Sequence, residues 1–189
     1  MDLHYRNRLI FGAMLLAVIS IVDIILHELR LPSWPMFMIL MFFFLAQANK
    51  KVAPHIIVGA LLGIACFDIA RPIIVALTPY TGVFGARLLY LLGMVGSIIL
   101  FREFVPVAFN DYAFAFLLLS GMASRERTDT YSNPISWMTV TLLGGTIIIL
   151  AILGIRRTVA AIESKKDSKG RQGGSQNRKG RDTSVESLN

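Results

Sequence analysis

Thiols and charges are both scarce in this chain. Cys66 is the one cysteine among 189 residues and lies in an apolar run, so an internal disulfide is excluded. Charged residues make up 16% of the sequence, against about 25% in soluble domains. With 54% hydrophobic residues and a mean hydropathy of +0.61, an ordinary soluble domain is excluded as well. Several catalytic signatures are missing: there is no nucleophile elbow, P-loop, dinucleotide fingerprint or paired metal motif. Ser, His and Asp occur without any spacing that unites them, so the sequence predicts neither an enzyme nor a cofactor. The first apolar stretch follows Arg6 and Arg8, as a signal peptide would, but lacks a small-x-small cleavage site and runs on into Asp23, His27 and Glu28. It reads as a membrane span.

What the chain does have is apolar segments of membrane-crossing length, for which about 20 residues are needed. Six are expected, near residues 9–26, 34–48, 55–77, 83–101, 104–123 and 134–155. Pro32, Ser33 and Pro35 separate the first two, with Ser33 as a helix cap and Trp34 at the membrane interface. Pro72 is expected to kink or break the third past its middle, and the run from Thr78 to Gly82 to form a turn. Helices are expected throughout, because lipid offers unpaired backbone groups no partner and no alternating strand pattern is present. The fold class is therefore all-α, a polytopic transmembrane helix bundle of about six spans over residues 1–158. A basic tail, residues 159–189, is expected to be disordered, since it is rich in Gly, Ser, Lys and Arg and nearly without apolar anchors.

Positive charge orients such a chain. Six spans put Arg6, Arg8, Lys50, Lys51, Arg102 and the nine Lys/Arg after residue 155 on one side, fourteen in all. The other side receives Arg30, Arg125 and Arg127. Both termini are therefore expected in the cytoplasm. Residues 156–189 carry +5 of the formal +7 charge, which suits anionic lipid heads better than nucleic acid.

Ionisable residues inside membrane spans are costly and usually face an interior cavity, so they are the candidate site. Asp68 and Arg71 stand three apart on one helix face, where they either line a solute path or form a neutral pair. Arg87 either joins them or snorkels to the interface. Asn110 and Asp111 open the fifth span, as a helix start or as a polar patch on a pore. Asp23 and His27 share a helical face, but the other histidines belong to the opposite end, so no metal site is expected. Gly59 with Gly63, Gly93 with Ser97, and Gly144, Gly145 and Gly154 offer small surfaces for close helix packing, within the chain by default and between copies in a homo-oligomer otherwise.

Two short stretches, Ser33-Trp34-x-x-Phe37 and Phe104-Val105-Pro106-x-x-Phe109, together with the span spacing and Trp137, resemble a bacterial inner-membrane family, domain of unknown function 1097. The resemblance covers roughly residues 9–157. It implies a small inner-membrane protein and carries over no catalytic residues. The expectation that follows is a small-solute channel or permease; the alternative is a non-transporting regulator or assembly partner.

Overall fold

The computed structural model describes residues 3–124 and 133–160, with side chains from residue 9 onward. It is all-helical, with no strand among the described residues. Three of its helices are long and apolar enough to cross a membrane, Leu9–Glu28 within α1, Ala53–Phe101 and Pro134–Ala160. By contact the chain divides into two compact units, Met1–Ala17 with Ile152–Asn189, and Val18–Ala151. The expected tail lies outside the described residues beyond 160, as do residues 125–132 of the charged loop; residues 159 and 160 continue the last helix.

Helix α1 spans Leu3–Glu28 and ends with Arg30 in the left-handed region (φ 53°). The amides of Arg30 and Leu31 bond back to His27 and Leu26, which is a Schellman closure built without glycine. Helix α2, Trp34–Leu45, ends in the same way, with Gln47 and Ala48 at positive φ and their amides returned to Phe44 and Phe43. Twelve residues rise about 18 Å, short of a hydrocarbon core of about 30 Å.

Helix α3, Ala53–Phe101, has 49 residues, about 73 Å if straight. It is not straight. Gly82 has φ 71° and ψ 169°, a backbone state essentially reserved for glycine. The Tyr90 hydroxyl donates to the Cys66 carbonyl, although 24 residues of unbroken helix would hold them about 36 Å apart. The second limb, residues 83–101, therefore folds back along the first, residues 53–81. Pro72 does not break the first limb, and helix persists through Pro79 to Thr81; the reversal comes at Gly82 alone.

Helix α4, Asp111–Ala123, packs along the first limb in the same direction. A Cβ on Gly59 would overlap Asn110, one on Gly63 would overlap Ala113 and lie 2.8 Å from Phe116, and one on Gly121 would lie 3.9 Å from Phe67. Rising numbers on one helix thus meet rising numbers on the other. Parallel packing of neighbours requires a return pass, and the second limb supplies it. Thirteen residues of α4 rise about 20 Å, less than the span of 104–123 expected from hydropathy. The shortfall has a local cause: residues 104–110 turn irregularly around Pro106 until Asn110 caps the helix.

The last helix, Pro134–Ala160, opens with α5 (Pro134–Thr139) and then a π-helical turn, Val140–Gly144. Trp137 is nearly fully buried, with its ring 5.4 Å from that of Trp34 and 5.8 Å from Phe67. Gly144 and Gly145 bring α2 close, since Cβ atoms there would meet Met36 and Ile39. Trp34, Phe42, Phe116 and Tyr112 complete an aromatic core between α2 and α4.

Candidate functional site

A cavity of about 830 Å³ is lined by both limbs of α3 on the approach to Gly82. The first limb contributes Asp68, Arg71, Ile74, Val75 and Thr78, and the second contributes Val83 and Arg87. Ser124, which closes α4, and Pro134, which opens the last helix, complete the wall. Three sequence candidates, Asp68, Arg71 and Arg87, therefore line one space. They are solvent-exposed in the isolated chain. Asp68 and Arg71 do not form an ion pair despite their spacing, whereas Arg102 pairs with Asp111.

The prolines of the first limb shape this wall. Pro72 and Pro79 lack an amide proton, so neither returns a helical bond to the carbonyl four residues earlier. Those carbonyls belong to Asp68 and Val75, both on the cavity wall. The Thr78 hydroxyl is turned inward along the helix, donating to the Ile74 carbonyl (2.7 Å), and Ser124 donates to Gly121 (3.0 Å). Two guanidiniums thus supply donors, while one carboxylate, two freed carbonyls and two hydroxyl oxygens supply acceptors.

Asn110 and Asp111 are not brought to this cavity. Asn110 is buried and caps α4: its Oδ1 accepts from the amides of Tyr112 (3.0 Å) and Ala113 (3.1 Å). Its Nδ2 donates to the carbonyls of His55 (3.0 Å), Pro106 (3.2 Å) and Val107 (2.9 Å). Of the two alternatives for this residue, helix start or pore lining, the geometry is that of the helix start. Asp111 faces outward and receives both terminal nitrogens of Arg102, at 3.0 and 3.3 Å.

A second cavity, about 540 Å³, is lined by Asp23, His27, Glu28 and Ser33 around the α1–α2 turn. Among the described residues no three His, Cys, Asp or Glu side chains are placed to hold a metal ion. Sequence reasoning missed Thr141 and Ser120, two fully buried hydroxyls without a hydrogen-bond partner. Hydropathy carries no trace of either, because Ser and Thr ordinarily satisfy themselves on the preceding helical turn. It also missed Tyr90, whose role depends on the reversal at Gly82.

The fold and the site together define an all-helical protein with apolar helices of membrane-crossing length and a polar cavity beside a helix break. No family model matches the chain, and no curated protein or solved structure matches it either.

Proposed function

We propose that this is a multi-pass bacterial inner-membrane protein, with six passes and both termini in the cytoplasm, whose α3 cavity receives a small solute for passage across the bilayer. One observation carries this reading: Asp68, Arg71 and Arg87, the three Asp, Glu, Lys or Arg side chains of a largely apolar helix, face one cavity and share no ion pair. A charge at a helix centre costs about 2.5–3.5 kcal/mol on insertion scales, and pairing would lower it. Charges left unpaired around a space of solute size suit a wetted pocket better than a folding device. The break at Gly82 fits as well, since membrane solute sites gather at interrupted helices. The resemblance to domain-of-unknown-function family 1097 belongs to this reading and brings no activity with it.

The test is water access. Thr78→Cys and Ser124→Cys, each in a Cys66→Ala background and reconstituted in vesicles, should react with a neutral, water-soluble maleimide at rates near that of an exposed thiol. Absence of labelling at both positions would overturn the pocket. A second reading, an assembly partner, is favoured by α1, whose Leu16, Ile21, Ile24 and Ile25 are all more than half exposed. Photo-crosslinkers at Ile21 and Ile24 that capture only lipid would remove it.

A further inference from the structure

We propose that the α3 cavity is an oxyanion site, in which Arg71 and Arg87 grip a phosphate- or carboxylate-type group. The proposal rests on the solute-pocket reading and gives that pocket its chemical class. Two guanidiniums and one carboxylate line the space, a local balance of +1. Neither arginine makes an ion pair with a described carboxylate. This sets them apart from Arg102, which is satisfied by both oxygens of Asp111. Guanidinium is planar, permanently charged and presents paired N–H donors that match the spacing of carboxylate and phosphate oxygens. Two such groups on opposing limbs, one 11 residues before Gly82 and the other five after it, can clamp one anion between them.

Asp68 has a defined part in this arrangement. A carboxylate beside two arginines lowers the affinity for an anion, which leaves the site occupied reversibly. The freed carbonyls of Asp68 and Val75 accept any O–H or N–H that the solute carries. The oxyanion can come from a free solute or from an anionic phospholipid headgroup. Tyr80, Val83 and Phe84, exposed around the reversal, give a headgroup lateral access from the bilayer.

The test uses the full chain carrying Thr78→Cys in the Cys66→Ala background, in phosphatidylcholine vesicles. Modification rates are compared for a sulfonate-bearing and a trimethylammonium-bearing methanethiosulfonate, each normalised to its reaction with mercaptoethanol. The sulfonate reagent should lead by about tenfold or more, the lower end of what charge-focusing clefts achieve. Arg71→Gln and Arg87→Gln should each pull that ratio toward one. Asp68→Asn should raise it, a gain that no misfolded variant would produce. Protection by inorganic phosphate identifies a free solute; protection only in vesicles containing phosphatidylglycerol identifies the headgroup. Equal rates, a cation preference, or protection by neither anion source overturns the oxyanion site. Because the neutral maleimide reports water access independently, labelling without charge preference removes only this proposal and leaves the pocket standing.

Discussion

Threonine hydroxyls in helices normally donate to the carbonyl one turn back. Thr78, Thr81, Thr139 and Thr158 all do so here, to Ile74, Leu77, Ile135 and Gly154. Thr141 does not. It lies in the π-helical turn Val140–Gly144, where backbone bonds run to the fifth residue on, and its hydroxyl is fully buried without a partner. Ser120 on α4 is in the same condition. A buried hydroxyl left unsatisfied costs about 1–3 kcal/mol, whereas an apolar group of similar shape costs little. Thr141→Val and Ser120→Ala should therefore each stabilise the protein by about 1 kcal/mol, read from thermal unfolding in detergent. Thr139→Val, which removes an exposed back-bond, should stay within about 0.5 kcal/mol. Destabilisation by Thr141→Val would mean instead that the hydroxyl holds a water or a polar solute group in the native state.

The helices meet through glycine at some crossings and show glycine to open space at others. At Gly63 an added Cβ would overlap the Ala113 carbonyl oxygen and stand 2.8 Å from the Phe116 Cβ and 2.9 Å from the Leu117 amide nitrogen. Two of those neighbours are backbone, which cannot rotate away. Gly63→Ala should cost about 1–3 kcal/mol as the first limb of α3 and α4 are forced apart. Gly93 has nothing within 4 Å, so Gly93→Ala should be neutral or gain up to about 1 kcal/mol from helix propensity. Equal effects of the two substitutions in detergent unfolding would show that α4 does not rest on Gly63. Hydropathy made the helices legible, and spacing alone made Gly59 and Gly63 visible as a contact surface. It gave Gly93 and Ser97 the same weight, because spacing does not say whether a partner stands opposite. The truncation of α4 depends on Asn110 binding three carbonyls, one of them 55 residues away, and no window of sequence contains that bond. Likewise, Asp68, Arg71 and Arg87 stand out singly as charges in apolar runs, but their shared cavity exists only once Gly82 reverses the chain.

Within the unit Val18–Ala151, side-chain contacts fix which ends lie together. The His55 carbonyl receives a bond from Asn110, and Arg102 pairs with Asp111, so the start of α3, its end and the start of α4 meet at one end. Lys50 and Lys51 precede that start, so basic residues gather at this end, the one that the proposed topology assigns to the cytoplasm. Gly82 lies at the far end of both limbs. The short helices do not defeat a crossing there, because irregular backbone is tolerated at depth when its carbonyls are bonded within the protein, as Asn110 bonds Pro106 and Val107. The first limb alone, 29 residues, rises about 43 Å, enough to cross a core of about 30 Å with tilt. Three single cysteines in a Cys66→Ala background should then sort by side. Asn49→Cys and Glu103→Cys should react with an impermeant thiol reagent only once the cytoplasmic face is opened, and Tyr80→Cys, at a position 85% exposed, should react in intact cells. A reporter fused after Ser164 should be active in its cytoplasmic form. Asn49 and Tyr80 labelling from the same side would mean that α3 enters and leaves one face without crossing, and the cavity would then serve no path. A periplasmic reporter with the three cysteines sorted as expected would keep the α3 hairpin and fault the count after it, at the 13-residue α4 or in the last helix.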